Sequence, residues 1–447
     1  MLSAHVRPLT ALVLAAALVC GAGLMASTVH AKTRITDAAL NGEILVRLRS
    51  TTVLAPLLKK YPLKVISQFG RRPIYRLAVT GSASTKTLIE TLSLDINVLA
   101  AETNPTMRSP EARRNAAWAI GEESDYMAQW APQAIHLQAA QAKSTGDGVR
   151  IAVLDTGVDP LHPGLSARLI PGWDFVDDDS DPSEVGNASR NPGFGHGTHV
   201  AGVVALVAPD AQIMPVRVLD ADGMGNAWVL VEALAYSVDP DRNPGTDDGA
   251  HVINLSLGTI NRSDILRTAV GLATCAIVDA AAAPGRRVGP DVDISDPGYD
   301  DDKDRCGKFH GAVVVAAAGN DASDKVRHYP AGAGVYGMLS VGASDATGRV
   351  ASFSNYGSWV DIAAPGAGIT SFLPLVAGSY GTWSGTSMAA PLVTGTAALL
   401  IARYPALGPR DVARRIERRS TVLCEDKLQQ LDARAALGTV KPEVDCP

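Results

Sequence analysis

The sequence predicts an α/β fold, a mostly parallel sheet with helices on both faces, preceded by a small α+β unit. Three observations lead there. From about residue 149 onward, short continuous apolar runs alternate with longer segments of helical periodicity. Strands that are apolar throughout, with helices between them, mark a sheet buried on both sides. Residues 40–104 differ: a strand of alternating apolar and polar residues accompanies a short amphipathic helix. Finally, the chain has 447 residues, 46% hydrophobic and 19% charged. That is enough to bury a core, and it excludes a fibrous repeat or a wholly disordered polymer.

Residues 1–31 read as a secretory signal. Arg7 precedes a long apolar run from 9 to 25, and Val29-His30-Ala31 supplies small residues for cleavage. Removal would leave Lys32 first and place the protein outside the cytoplasm, extracellular or periplasmic; an uncleaved anchor is the alternative. No later stretch holds the ~18 consecutive apolar residues of a bilayer span, so no stable membrane span is expected after signal removal. Four cysteines then remain, at 275, 306, 424 and 446. An even count in an exported chain favours disulfides. Of the three pairings, proximity favours Cys275–Cys306 and Cys424–Cys446.

In the small unit, strands are expected at 43–49, 74–79 and 98–101, with a helix at 84–92 opened by Ser84 and Thr85. A polar stretch with Pro105 and Pro110 reads as a linker from 105 to 131. Beyond it, strands are expected at 149–154, 213–218, 251–255, 312–317 and 338–341. Helices are expected at 199–206, 227–238, 264–282, 386–404 and 409–418. In such a sheet, functional groups gather at the C-terminal ends of the strands. With 40 Lys and Arg against 46 Asp and Glu, the net charge of −6 gives no basic excess for nucleic acid.

Three motifs stand at that edge. IAVLDTGVD places Asp155 at the end of a buried strand, GHGTHVAG places His196 at the start of a helix, and SGTSMAAP places Ser387 at the start of another. Acyl transfer needs a hydroxyl nucleophile, an imidazole to take its proton and a carboxylate to orient the imidazole. A helix N-terminus at the serine adds amides and a positive dipole end for an oxyanion. Each residue alone has a plainer reading: a turn aspartate, a structural histidine (the reading given to His199) or a helix cap. Together, in the order Asp, His, Ser, they point to a triad.

Here the sequence resembles the subtilisin-like serine peptidases. The likeness runs from about residue 147 to 405 and extends to NLSLG at 254–258, VVAAAGN at 314–320, SVGASD at 340–345 and ASFSNYG at 351–357. It implies a serine endopeptidase acting on proteins or peptides. Ser387 would be the nucleophile, His196 the base and then the acid, and Asp155 the orienting carboxylate. Asn320 would supply the oxyanion amide, and Ser256, Leu257 and Gly258 the strand that pairs with substrate. It also implies that residues 32–110 are an inhibitory propeptide, the protein's own partner, and that 111–447 are the peptidase domain with an acidic insertion near 283–310. Asp321 and His328 would fall near the pocket for the side chain preceding the cut bond. No cofactor or catalytic metal is implied. A structural calcium stays open, although the family's usual calcium loop after HVAG is absent here. A silent peptide-binding relative and an esterase using the same triad remain as alternatives. An aspartic protease is disfavoured because no second Asp-Thr-Gly or Asp-Ser-Gly exists, and a lipase because no Gly-x-Ser-x-Gly exists.

Overall fold

A computed structural model describes residues 42–113, 119–276, 305–308, 311–423 and 428–438. The signal, the acidic run at 291–304 and the Cys424–Cys446 pairing lie outside these residues.

The α/β fold is observed. A nine-stranded sheet runs, edge to edge, through Thr421–Val422, Gln429–Gln430, Ile362–Pro365, Met338–Ser344, Val313–Ala317, Val252–Leu255, Arg150–Asp155, Gln212–Arg217 and Trp173–Asp174. Every neighbouring pair is parallel except the first. Successive side chains on each strand point to opposite faces, so each strand contributes to two cores. Ile151, Val153, Val313 and Val315 meet helices His196–Val207 and Thr386–Arg403 on one face. Ala152, Leu154, Val314 and Ala316 meet helices Ala227–Val238 and Asp264–Ala273 on the other. This explains why the strands read as unbroken apolar runs: each large side chain buried on either face contributes about 1.5–3 kcal/mol.

Helix Thr386–Arg403 is long and apolar enough to cross a membrane by length and composition, and most of it is buried in the core. It approaches helix His196–Val207 so closely that a Cβ on Gly395 would sit 2.5 Å from Cβ of Val207. Glycine there is required by the helix crossing.

The N-terminal unit is a four-stranded antiparallel sheet ordered Leu63–Gln68, Ile74–Val79, Glu43–Leu48, Val98–Thr103. Helices Leu54–Lys60 and Thr85–Leu92 cover it, and Ile44, Val46, Leu57, Tyr75, Leu88 and Leu92 form its core. Strand 63–68 escaped the sequence reading because LKVISQ neither runs apolar nor keeps a strict alternation past Val65-Ile66. This unit caps two helices of the large domain. Glu102 accepts from the Asp264 amide at 2.9 Å and from the Ser263 hydroxyl, at the start of Asp264–Ala273. Asn104 Oδ1 accepts from the Trp228 amide at 3.1 Å, at the start of Ala227–Val238. A carboxylate and an amide oxygen thus satisfy first-turn donors that a helix cannot satisfy itself. Burial pushes Glu102 up to about 7.

Two expectations differ from the structure. The helix expected over 264–282 stops at Ala273, where Cys275 takes a left-handed φ of 60° and bonds to Cys306 with Cα atoms 5.7 Å apart. The segment expected as a linker folds onto the large domain: Thr106–Arg108 is a strand, Glu123–Ala128 is a short helix, and another, Trp130–Ala134, begins within it. The Cys275–Cys306 bond closes a loop of sequence separation 31. Cys275→Ser should therefore lower unfolding stability by about 3–4 kcal/mol on the chain-entropy account, measured by urea denaturation of the oxidised proteins. Equal midpoints would show that the bond leaves the unfolded chain unconstrained.

Candidate active site

Asp155 ends the strand where the sheet order reverses: Val252–Leu255 lies on one side of Arg150–Asp155 and Gln212–Arg217 on the other. Open α/β sheets bind their ligands at such a switch point. Helices His196–Val207 and Thr386–Arg403 bring His196 and Ser387 to the same edge on their first turns. All three side chains are buried.

Asp155 Oδ1 lies 2.6 Å from His196 Nδ1 and also accepts from the Thr156 amide at 2.8 Å. Its bond to Nδ1 leaves Nε2 facing Ser387. Between them sits a residue from the segment read as a linker. Glu111 Oε2 lies 3.1 Å from His196 Nε2 and accepts from Ser387 Oγ at 2.8 Å. Its Oε1 accepts from Asn320 Nδ2 at 2.9 Å. One carboxylate thus touches three of the residues singled out from the sequence. A Cβ on Gly385 would come within 1.8 Å of Glu111 Oε1, so glycine before Thr386 opens the space that the carboxylate fills.

Charge follows this geometry. Burial alone would lower the His196 pKa, but the Asp155 and Glu111 carboxylates prevail and raise it to about 10. Burial would raise Glu111, yet His196, with help from Ser387 and Asn320, holds it below its ordinary value. The occupied site therefore contains an imidazolium between two carboxylates. His199 is different. Burial pushes it down to about 3, so it is neutral, and its Nε2 lies 3.1 Å from the carbonyls of Ile369 and Gly381. It ties its helix to strands Ile369–Phe372 and Tyr380–Trp383, which agrees with the structural reading given to it.

Asn320 is fixed by its other end: its Oδ1 accepts from the Thr386 amide at 3.0 Å and the Thr386 hydroxyl at 2.9 Å, which aims Nδ2 at the site. Ser387 is fixed by a proline. Pro391 has no N–H, so the helix leaves the Ser387 carbonyl without its i+4 donor, and Ser256 Oγ supplies one at 2.9 Å. The Ser256 carbonyl in turn accepts from Ser387 Oγ at 3.2 Å. Ser256 thus contacts the nucleophile candidate itself. Leu257 is buried in the core, and Gly258 exchanges both backbone bonds with Arg108, at 3.0 and 2.9 Å. Thr106–Arg108 also pairs antiparallel with Met224–Asn226. The cleft therefore holds an extended segment between two walls, and Ser109 continues it by donating to the Gly223 carbonyl at 3.1 Å.

The subtilase family model matches residues 146–438. The chain belongs to the subtilase family. This is the family whose motifs the sequence resembles. It is 36% identical over 316 residues to a thermophilic serine proteinase of Bacillus sp. (strain AK1), covering 68% of this chain but 65% of that protein, just under two thirds. It is 37% identical over 283 residues to thermitase of Thermoactinomyces vulgaris, covering 61% of this chain and 81% of that one. Among solved structures, fervidolysin of Fervidobacterium pennivorans, described as a keratinolytic enzyme related to subtilisin, superposes with a TM-score of 0.65 at 23% identity, covering 89% of this chain and 60% of that one. That likeness supports the fold alone.

Sequence reasoning missed three features of this subtilase site. Glu111 lay in a polar stretch and carried no motif. Met224–Asn226, the second wall, is a three-residue strand without apolar periodicity. Glu184 is a carboxylate that accepts from the Thr156 hydroxyl at 2.6 Å and from the Thr198 amide and hydroxyl at 3.1 and 2.8 Å. Burial pushes it up to about 7. For a metal, the described residues offer one group of carboxylates, Asp239, Asp241 and Asp248, whose oxygens lie within 4.8 Å of one another. No metal-ligating group among them includes Asp155, His196 or Ser387.

Proposed function

We propose that this subtilase is a secreted endopeptidase that hydrolyses peptide bonds in proteins through Asp155, His196 and Ser387, by way of an acyl-enzyme. The observation that carries the reading is the convergence of Ser387 Oγ, His196 Nε2 and Asn320 Nδ2 on one small carboxylate. Glu111 stands there in place of a reacting group: Oε1 lies where a substrate oxyanion would lie, and Oε2 lies between nucleophile and base. With a peptide bond in its place, Ser387 Oγ attacks the carbonyl carbon and its proton passes to His196 Nε2. Asp155 holds the resulting imidazolium through Nδ1. The oxyanion takes the Asn320 amide and the first-turn amide of Ser387. Nε2 then protonates the leaving amine as the C–N bond breaks, and a water deprotonated by the same nitrogen cleaves the acyl ester.

On this reading residues 1–31 are the signal, 32–110 a propeptide and 111–447 the peptidase domain. The pairing of Thr106–Arg108 supports a substrate strand lying between Met224–Asn226 and Gly258. Backbone pairing of this kind gives affinity with little demand on side chains. The chemistry draws on no cofactor, and a calcium ion would serve stability only. The test is a fluorophosphonate probe and two substrates. The processed protein should be labelled at Ser387 and should degrade casein. No label would favour a silent peptide-binding relative. Label with hydrolysis of short esters but not of casein would favour an esterase.

His328 bears on specificity. It is buried, it is paired with Asp321 at 2.5 Å, and its ring lies 2.7 Å from where a Gly319 Cβ would stand. It also flanks Gly258, whose Cβ would meet it at 3.4 Å. An imidazole here shortens the pocket beside the substrate strand. His328→Gly should raise kcat/KM for peptides with a large aromatic residue before the cut bond, relative to the same peptides with alanine. An unchanged ratio would place the pocket floor elsewhere.

A further inference from the structure

Glu184 lies outside all three motifs, on the stretch between Asp155 and His196, and its carboxylate joins the two. Its Oε1 accepts from Thr156 Oγ1 at 2.6 Å, and Thr156 directly follows Asp155. Its Oε2 accepts from Thr198 N at 3.1 Å and Thr198 Oγ1 at 2.8 Å, on the first turn of the His196 helix. The same hydroxyls carry the link further. Thr156 Oγ1 accepts from the Gly197 amide at 2.9 Å, and Thr198 Oγ1 accepts from the Asp159 amide at 3.0 Å. The loop bearing Glu184 is pressed onto the loop after Asp155: the Val158 amide donates to the Pro182 carbonyl at 3.1 Å, and the Glu184 amide donates to the Val158 carbonyl at 3.3 Å. The approach is so close that a Cβ on Gly157, which has a φ of +109°, would lie 2.6 Å from the Ser183 carbonyl oxygen.

We propose that Glu184 is a positioning residue for the reaction, a clamp that sets the distance and angle between the Asp155 carboxylate and the His196 imidazole. It touches neither substrate nor nucleophile. It acts through Thr156 on the strand end that carries Asp155 and through Thr198 on the helix turn that carries His196. Its chemistry suits the task, since both carboxylate oxygens are acceptors once the group has lost its proton, and here they face the Thr156 hydroxyl and the Thr198 amide and hydroxyl. A glutamine of equal volume cannot do the same. Its amide nitrogen would face a hydroxyl or an amide that also needs an acceptor. The inference rests on the triad reading.

The experiment compares wild type, Glu184→Gln and Glu184→Ala in processed form; variants that remain full-length are cut in trans by a trace of active wild type. Active sites are counted with the fluorophosphonate probe, and the probe's reaction rate, kcat and KM are recorded with the unfolding midpoint. Misplacing a reacting pair by a fraction of an ångström to an ångström costs up to about 100-fold in rate. Glu184→Gln should lower kcat and the labelling rate by roughly 10-fold and Glu184→Ala by up to roughly 100-fold, with KM within about twofold. Thr156→Val added to Glu184→Gln should cost less than the sum of the two single changes, since both break the Glu184–Thr156 link, although Thr156→Val also removes the acceptor of the Gly197 amide. A wild type that is not labelled at Ser387 removes the triad reading itself. A labelled wild type with equal kcat per titrated site in both variants overturns the clamp and leaves the triad standing. Loss of folded Glu184→Gln protein, or a lower unfolding midpoint with unchanged kcat, also overturns it by making Glu184 a residue of stability alone.

Discussion

Glu111→Gln is expected to speed release of the N-terminal unit and self-processing by roughly 10- to 100-fold, because the change removes the charge that holds Glu111 between His196, Ser387 and Asn320. A hydrogen bond to a charged group contributes about 1.5–3 kcal/mol, and each 1.4 kcal/mol is tenfold. In the structure the Glu111 side chain, not a peptide bond, lies against the Ser387 hydroxyl. Before any cut, that carboxylate has to leave. The pH dependence follows from the two shifts. Against burial, His196 is raised to about 10 by Asp155 and then by Glu111. Asp155 stays when the N-terminal unit leaves, so only the Glu111 share favours the closed state, and that share is lost as pH rises toward 10. Glu111 is lowered, so its contribution is present above about 4.5 and is lost as pH falls through its folded value. The closed state is therefore firmest in mildly acidic solution. Between pH 7 and 10 the processing rate should climb by up to about tenfold per unit, and the climb also supplies the neutral imidazole that the base requires. The groups facing His196 are Asp155 and Glu111 at its two nitrogens, with neutral His199 one turn away. In Glu111→Gln the climb should begin at lower pH, since one of the two carboxylates holding the proton is gone. Refolding from denaturant by dilution, followed on gels across that range, measures both effects. A variant that processes at the wild-type rate, with the same pH profile, would mean that Glu111 does not hold the site closed.

Ser387→Ala should reduce turnover by on the order of 10⁶-fold, a magnitude established in a subtilisin, a member of the same family. The protein should then leave the cell with its signal removed and residues 32–110 still attached, starting at Lys32. Asn320→Ala should slow the same cut by roughly 10²–10³, again the range known from a subtilisin's oxyanion amide, and should not abolish it. The double variant should be no worse than Ser387→Ala alone, because an oxyanion donor has nothing to stabilise once the nucleophile is absent. N-terminal sequencing and peptide hydrolysis decide the outcome. If Ser387→Ala appears at the mature size with no active enzyme present, another protease makes the cut and the linkage between triad and processing is wrong.

The elements most legible in the sequence are those whose apolar pattern is long and local. Helices 227–238 and 409–418 lie at the positions their periodicity predicts. The five central strands were readable because burial on both faces makes them apolar throughout. Asp155, His196 and Ser387 were readable for another reason. Their neighbours are small residues demanded by close approach, such as Gly157 under the Ser183 carbonyl and Gly385 beside Glu111. Those requirements write a fixed local spelling around each of them. Strands such as Leu63–Gln68 and Met224–Asn226 left no such signal, because pairing with a neighbour, not their own pattern, makes them strands.

The sequence by itself determined the class of fold, the order and spacing of three reactive residues, and an N-terminal unit separate from the sheet. Each of these depends on residues close together in the chain. Only the tertiary structure decided what meets what. It carried Glu111, 85 positions from His196 and 276 from Ser387, into contact with both. It laid Thr106–Arg108 into the cleft as an extended strand, and it set Glu184 between the Asp155 and His196 loops. A carboxylate in a polar stretch looks the same in sequence whether it is solvated or buried. Its role is set by the charges and donors that folding places around it, and those come from distant parts of the chain.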